Sequence, residues 1–325
     1  MTKNTYFKYA LIAIVLVFLA VAGLLLLQQW EKGKETAPET ETPRDDTVLY
    51  QGETYVKKTN VETFLVLGLD KSGDAQVSES YNNDLNADFL MLFVLDHGTK
   101  QYSAIHINRD TIAEMNVLGV SGSRVDTVTK QIALSHNYGN GGAMSCRNTA
   151  DAVSKLLNGV KINHYMSLKM DAVGIVNDLL GGVTLELLED FSNVDPAMVK
   201  GATVTLNRDQ ALHYVRTRYE LTDSTNSTRM IRQKQYINAM LEQFRLRTEA
   251  DHEFSAKALL ELADYMVSDR SATQLQSIVD QMQSYTYTGI SDIAGESKVG
   301  EHAEFYPDEA SIQDVVIKKF YELAD

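Results

Sequence analysis

The stretch Phe64-Leu65-Val66-Leu67-Gly68-Leu69-Asp70 is an apolar run that ends in a lone carboxylate. Two similar runs follow at 88–95 and 101–107, and most of their residues are apolar. Near-continuous apolar runs of this length are typical of strands that are buried on both faces of a sheet. The sequence therefore predicts a central sheet whose first strands are 63–69, 88–95 and 101–107.

Helical and strand patterns then alternate along the chain. A double glycine at Gly181-Gly182 fits the end of a helix that turns directly into a strand, and Asn207 can cap the next helix. Alternation of this kind argues for a layered α/β fold. The predicted elements are helices at 125–138, 146–157, 170–180, 207–216 and 227–247, and strands at 163–168 and 181–187.

The C-terminal part of the chain has a mostly helical pattern. Helices are expected at 253–268, 271–285 and 311–323, and 301–306 has the composition of one more strand. We therefore expect a mostly helical C-terminal extension over 251–325. The sequence leaves open whether it packs on the same domain or forms a separate lobe.

The N-terminal end carries an uncharged apolar run at 10–27, which is long enough to cross a bilayer. Lys3 and Lys8 precede it, so the N-terminus should stay cytoplasmic and the rest should be exported. The alternative is a cleaved signal peptide, because Ala20-Val21-Ala22 resembles a cleavage site. The apolar run continues beyond these residues, so we predict an uncleaved signal anchor.

These features predict a cytoplasmic N-terminus at 1–9, a transmembrane signal anchor at 10–28 and an extracellular stalk at 29–60. The stalk is polar and contains proline, as disordered linkers do. The folded part should start near Val61 and form one domain over 61–250. The protein is therefore expected in the cell membrane as a single-pass protein, with most of the chain extracytoplasmic.

The formal net charge is -14, which argues against nucleic acid as a partner, since a phosphate backbone requires a broad basic surface. A single cysteine, Cys146, excludes an internal disulfide. We interpret Cys146 as a small buried apolar residue, because no His or Lys is adjacent to it in sequence.

Within this acidic chain, four arginines and a glutamine cluster at Arg216, Arg218, Arg229, Arg232 and Gln233. The guanidinium group presents a rigid fork of donors that matches phosphate oxygens two at a time. The last three residues lie at i, i+3 and i+4, on one face of the predicted helix. The alternative is a solvated basic face that pairs with the acidic surface; we favour a site for a small phosphate-containing anion.

Two aspartates, Asp70 and Asp88, each lie at one end of a predicted strand. Each alone could be an ordinary turn residue. Mg²⁺, however, is commonly held by one or two carboxylates together with substrate phosphates. Arg109, just after the third strand, can reach a phosphate from the same region, whereas His136 lacks partners at the spacing of a zinc site. Two interpretations of the pair stay open: turn residues that end the strands, or, with the arginines, a pyrophosphate site that holds Mg²⁺.

Several blocks together resemble the LytR-CpsA-Psr family of bacterial cell-wall proteins. They include Asn86-Ala87-Asp88, Asn108-Arg109-Asp110-Thr111, Gln210-Ala211-Leu212-His213-Tyr214-Val215-Arg216-Thr217-Arg218 and Arg229-Met230-Ile231-Arg232-Gln233. Their order matches the family. The resemblance implies an αβα sandwich with a central mixed sheet that holds a polyprenyl chain in an apolar tunnel. It also implies transfer of a phosphoglycan from a polyprenyl-pyrophosphate carrier to peptidoglycan.

The resemblance also implies roles for individual residues. Asp70 and Asp88 match the metal-binding aspartates of a Mg²⁺-dependent phosphotransferase. The residues that match the pyrophosphate clamp are Arg109, Arg216, Arg218, Arg229, Arg232 and Gln233. Catalysis would then fall to Asp88, Arg109, Arg216 and Arg232. The cations neutralise charge on the leaving phosphate, and Asp88 accepts the proton of the sugar hydroxyl.

The chain departs from the family pattern at two site positions. Asn86 stands where the family usually has arginine, and Asn108 stands where it has proline. The segments 71–85 and 219–228 are also longer than usual. Two alternatives to the phosphotransferase therefore stay open: an envelope protein that binds a lipid or a partner without turnover, and a polyprenyl-pyrophosphate hydrolase.

Overall fold

The computed structural model describes residues 46–77, 84–217 and 226–324. The chain divides into two units, Met1–Leu49 and Tyr50–Asp325, and the fold described below is that of the second. The predicted membrane anchor at 10–28 lies outside the described residues. Among the helices that are described, none is both long and apolar enough to span a bilayer.

The strands, in chain order, are β1 (Thr47–Tyr50), β2 (Glu53–Lys57), β3 (Val61–Leu69), β4 (Ala87–Asp96), β5 (Gln101–Ile107), β6 (Ile112–Leu118), β7 (Arg124–Gln131), β8 (His164–Leu168), β9 (Val183–Glu186), β10 (Thr203–Leu206), β11 (Met266–Ser268), β12 (Thr286–Asp292), β13 (Gly295–Val299), β14 (Ala303–Pro307) and β15 (Tyr321–Leu323). The α-helices are α1 (Ala143–Leu156), α2 (Asp171–Leu180), α3 (Arg208–Arg216), α4 (Asn226–Ala250), α5 (Phe254–Leu262), α6 (Ala272–Ser284) and α7 (Glu309–Phe320). Two short 3-10 helices lie at Ile132–His136 and Ala263–Tyr265.

The centre of the fold is a six-stranded mixed sheet with the order β11-β8-β3-β4-β5-β12. Strand β3 runs antiparallel to β4 and parallel to β8, with Leu65 opposite both Leu92 and Tyr165. Strand β12 is parallel to β5, and β11 is antiparallel to β8. The predicted central mixed sheet is therefore confirmed, and its first three strands lie where the apolar runs placed them.

Alternate residues of the central strands face two different layers. Leu65 and Leu92 belong to a buried core that also contains Val153 of α1 and Val316 of α7. Side chains on the opposite face of the sheet, such as that of Phe64, face a cavity. Helices α4, α5 and α6 form the far wall of this cavity. With helices on both faces of the sheet, the chain forms an αβα sandwich.

The prediction of a helix at 125–138 is wrong. Residues Arg124–Gln131 form β7, which pairs antiparallel with β6, and only the short 3-10 helix Ile132–His136 follows. Val and Thr fill much of this segment, and their branched side chains favour a pleated surface over a helix. The apolar spacing alone could not separate the two structures.

The C-terminal region is also not a mostly helical extension. Strands β11 and β12 complete both edges of the central sheet, and β13 pairs with β14 in a hairpin. The predicted strand at 301–306 is confirmed as β14. The helix predicted at 253–268 ends at Leu262, and the one predicted at 311–323 ends at Phe320.

The folded part starts before Val61, contrary to the prediction of a stalk up to residue 60. Strand β2 pairs antiparallel with β15, and Tyr55 lies opposite Leu323. The partner strand is close to the other end of the chain. Such a distant pairing leaves no local signal in a short polar sequence.

Candidate active site

Four charged residues lie in a row where neighbouring strands of the central sheet begin or end. We call this row of strand ends the charged edge. Lys169 and Asp70 directly follow the parallel strands β8 and β3, Asp88 is near the start of antiparallel β4, and Arg109 follows β5. The strand order places them in the sequence Lys169, Asp70, Asp88, Arg109 along this edge. Neighbouring strands are about 4.8 Å apart, so the four backbone positions form one short row.

The charged edge closes one end of a cavity of about 380 Å³ between the sheet and the helices. Its walls are mostly apolar, with side chains such as Phe64, Phe93, Met240 and Phe244. Its polar lining includes Asp70, Asp88, Lys169, Arg216, Arg229 and Gln233. The structure thus brings together five of the predicted site residues at one cavity, with Lys169 as an addition.

Asp88 lies between two guanidinium groups. Its Oδ1 forms an ion pair with Nη1 of Arg109, and its Oδ2 is 3.7 Å from Nη1 of Arg229. Arg109 also contacts Asp110, with Nε 3.1 Å from Oδ1. Asp88 thus joins two arginines that come from different elements, one just after β5 and one on α4.

Asp70 is held in place by Asn86. The Asn86 backbone N–H donates to Oδ1 of Asp70 at 3.0 Å, and its side-chain amide donates to Oδ2 at 2.7 Å. The side-chain amide of Asn137 in turn donates to Oδ1 of Asn86 at 3.2 Å. The residue that replaces the family's usual arginine therefore orients one of the two cavity carboxylates.

Arg229 is positioned by a relay of two buried asparagines. Its Nε donates to Oδ1 of Asn226 at 2.7 Å, and Nδ2 of Asn226 donates to Oδ1 of Asn108 at 2.7 Å. Asn108 also accepts from the backbone N–H of Asp110 at 3.0 Å. The relay connects the end of β5 to the first turn of α4, so the position of Arg229 is set by both elements.

Helices α3 and α4 supply the remaining cavity residues. Asn207 and Gln210 form a capping box at the start of α3, which fixes the helix that ends at Arg216. Gln233 on α4 donates from Nε2 to the Val215 carbonyl at 3.1 Å, so the two helices are joined beside the cavity. Arg218 lies outside the described residues.

Arg232 does not line the cavity, contrary to the expectation that it faces the pyrophosphate. It is 1 % exposed, forms an ion pair with Glu189 at 2.7 Å, and donates to the carbonyls of Tyr214 and Thr217. Burial lowers the pKa of its guanidinium, and the charge of Glu189 opposes that shift. Successive helical residues point about 100° apart, so Arg232 faces away while Gln233 faces the cavity.

Lys169 was missed by the sequence analysis. It is only 8 % exposed, and burial lowers the pKa of its ammonium while the charge of Asp70 opposes that shift. Its signal in the sequence is the same as that of Asp70, a charged residue at the end of an apolar strand. Its neighbour Lys71, by contrast, is exposed and paired with Asp84.

Two histidines near the site are buried without charge. Desolvation lowers the pKa of His106 to about 4, and it lowers the pKa of His136 to about 4 as well. The His106 ring packs against Phe89, with the ring centres 5.2 Å apart. The prediction of a structural His136 agrees with its position, where Nδ1 lies 3.1 Å from the Leu85 carbonyl oxygen.

The residues that could hold a metal are few. In the described part of the chain, no group of three His, Cys, Asp or Glu side chains is arranged to bind one. Asp70 and Asp88 offer two carboxylates at one cavity. That donor set fits Mg²⁺ when phosphate oxygens and water complete the shell, because Mg²⁺ is usually bound through one or two carboxylates plus substrate phosphates.

Comparisons with known proteins agree on one family. The model of the LytR_cpsA_psr family matches residues 26–316. TagU of Bacillus subtilis (strain 168), a polyisoprenyl-teichoic acid–peptidoglycan teichoic acid transferase, is 26% identical over 236 residues, which are 70% of this chain and 69% of TagU. Biofilm regulatory protein A of Streptococcus mutans is 28% identical over 188 residues, 55% of this chain and 43% of that protein.

Solved structures share the fold at low sequence identity. Protein gbs0355 from Streptococcus agalactiae superposes with a TM-score of 0.64 at 18% identity, covering 80% of this chain and 88% of that one. TagT bound to LI-WTA gives a TM-score of 0.59 at 17% identity, covering 80% of this chain and 89% of that one.

Proposed function

Because the chain belongs to the LytR_cpsA_psr family, we propose that it is a membrane-anchored extracytoplasmic phosphotransferase that attaches a glycopolymer to peptidoglycan. The observation that carries this proposal is the cavity, whose apolar walls end at clustered cations and two carboxylates. A ligand with a long hydrocarbon chain and an anionic head fits both parts. A polyprenyl pyrophosphate has that chemistry.

The relatives support the choice of donor and acceptor. TagU is described as acting on a polyisoprenyl-linked teichoic acid and on peptidoglycan. We therefore take a polyprenyl-pyrophosphate-linked glycan as the donor for this chain, and a peptidoglycan hydroxyl as the acceptor. The acceptor oxygen forms a bond to the glycan-side phosphorus, and the bond from that phosphorus to the bridging oxygen breaks. The polyprenyl monophosphate leaves with the bridging oxygen.

The residues of the site have distinct roles in this reaction. Arg109 does not line the cavity itself and is held beside it by its ion pair with Asp88. Arg109, Arg216 and Arg229 neutralise the charge that develops on the pyrophosphate as its bridging bond breaks, and Gln233 adds an amide donor. Asp88 accepts the proton of the attacking hydroxyl. A Mg²⁺ held by Asp70 and Asp88 would supply further positive charge beside the phosphates. Arg218 remains a predicted part of the clamp.

The test compares two aspartates of one strand. Asp88→Ala removes the carboxylate at the cavity, and Asp96→Ala removes one at the opposite end of β4, where it pairs with Lys58. The full chain in detergent is given a short-chain polyprenyl-pyrophosphate glycan, peptidoglycan fragments and Mg²⁺. We expect Asp88→Ala to abolish transfer while lipid binding partly survives, and Asp96→Ala to retain transfer.

The other outcomes distinguish the alternatives. Full transfer by Asp88→Ala would remove this residue from the mechanism. Phosphate release by the wild type that needs no peptidoglycan would indicate a hydrolase. Lipid binding without any turnover by the wild type would indicate the binding protein.

A further inference from the structure

Lys169 is a buried cation at the polar end of the cavity, and the roles assigned above do not use it. It lies between Leu168 and Met170, which also line the cavity. Only 8 % of the residue is exposed. Within residues 46–77, 84–217 and 226–324, no acidic side chain forms an ion pair with its ammonium.

A buried charge without a partner lowers the stability of a protein, so its presence calls for a counter-charge. Among the acidic residues around it, Asp70 exerts the strongest electrostatic attraction on Lys169. Both carboxylate oxygens of Asp70, however, already accept hydrogen bonds from Asn86. Within the described part of the chain Asp70 forms no ion pair with Lys169, so this ammonium can pair with an anion inside the cavity.

The order of charges along the charged edge indicates where this anion lies. Lys169 and Arg109 occupy the two ends of the row, with Asp70 and Asp88 between them. The cations near Asp88 are Arg109 and Arg229, whereas Lys169 is the cation on the Asp70 side. Two separate positive positions suit the two phosphates of a pyrophosphate.

The walls beside Lys169 identify which of the two phosphates it meets. Helix α2 begins two residues later, and its Ala172, Val173 and Val176 continue the apolar lining of the cavity. A hydrocarbon chain on that wall brings its own phosphate to the adjacent cation first. We propose that Lys169 binds the phosphate that stays on the polyprenyl carrier, an inference that rests on the function proposed above.

The experiment measures binding of farnesyl monophosphate and farnesyl diphosphate to the full chain by isothermal titration. Lys169→Met keeps the length of the side chain and removes the charge. Lys71→Met is the matched control, because Lys71 is a neighbouring lysine whose side chain is 45% exposed and paired with Asp84. We expect Lys169→Met to weaken binding of the monophosphate about tenfold or more, and Lys71→Met to leave it unchanged.

Thermal unfolding of the same variants separates binding from folding. Removal of an unpaired buried charge should leave the unfolding temperature of Lys169→Met equal to that of the wild type or above it. Equal monophosphate affinity of wild type and Lys169→Met would overturn the inference, as would weaker binding explained by a lower unfolding temperature. Loss of diphosphate binding alone would place Lys169 at the glycan-side phosphate and overturn it too. Failure of the wild type to bind either lipid would instead refute the proposed function.

Discussion

Replacement of Arg232 by alanine should unfold the protein more readily rather than remove a substrate ligand. The guanidinium is 1 % exposed and pairs with Glu189, whose side chain is 13% exposed. It also lies over the Phe191 ring at 5.2 Å and donates to two backbone carbonyls at the end of α3. Alanine leaves Glu189 and both carbonyls without this donor.

The size of the effect follows from these contacts. Breaking a buried ion pair by removing one partner costs about 3–5 kcal/mol, because the other charge stays in the protein. A domain of this size loses roughly 2 °C of unfolding temperature per kcal/mol, so the transition should fall by about 6–10 °C. Arg245 on the same helix is the matched control. Its side chain is 41% exposed and pairs with Glu242 and Glu249, so Arg245→Ala should leave the unfolding temperature close to that of the wild type.

Calorimetry and urea titration of both variants measure these differences, together with lipid binding at a temperature where Arg232→Ala is still folded. The double variant Arg232→Met with Glu189→Met removes both charges and should recover most of the lost stability. The reasoning is refuted if Arg232→Ala unfolds at the wild-type temperature yet no longer binds the polyprenyl pyrophosphate. Arg232 would then be a direct ligand.

Two further predictions concern buried polar groups. Asn226→Ala removes the acceptor of the Arg229 Nε–H, so kcat/KM for transfer should fall roughly tenfold to a hundredfold. The affinity for farnesyl monophosphate should stay close to that of the wild type. An unchanged kcat/KM would contradict the positioning of Arg229 by Asn226. His106 and His136 each have a pKa lowered from 6.5 to about 4, so the unfolded state binds their protons first as the pH falls. The unfolding free energy should therefore drop between pH 6.5 and about 4. Each histidine should lower the free energy of unfolding by roughly 2 kcal/mol between pH 7 and pH 5. In His106→Phe this decrease should therefore be smaller by roughly 2 kcal/mol, as measured by urea titrations at both pH values.

Features of the fold that depend on a local sequence pattern could be predicted from the sequence. Apolar runs located β3, β4 and β5, and the capping residue Asn207 located the start of α3. The charged residues at strand ends could be found for the same reason, because a polar side chain stands out at the end of an apolar run. Lys169 has this signal too, but the strand before it, His164–Leu168, is less apolar than β3 and marks its end less clearly.

Features that depend on contacts between distant segments could not be predicted in this way. Strands β11 and β12 join the central sheet only through pairing with β8 and β5, which are far away in sequence. Likewise, Arg232 and Gln233 lie three and four residues after Arg229 and share a broad face of α4. The position of α3 decides which of the two side chains is buried. Spacing therefore grouped Arg232 with Gln233, while packing separates them.

The two departures from the family pattern gain a different meaning in the structure. Asn86 holds the Asp70 carboxylate with two hydrogen bonds. Asn108, which is 5% exposed, accepts from Asn226 and so supports Arg229. A proline at 108 would have no side-chain carbonyl for this relay. A buried amide such as that of Asn108 destabilises a fold unless it is hydrogen-bonded, and here its bond leads to a cavity arginine. The two departures therefore hold one cavity carboxylate and one cavity arginine in place.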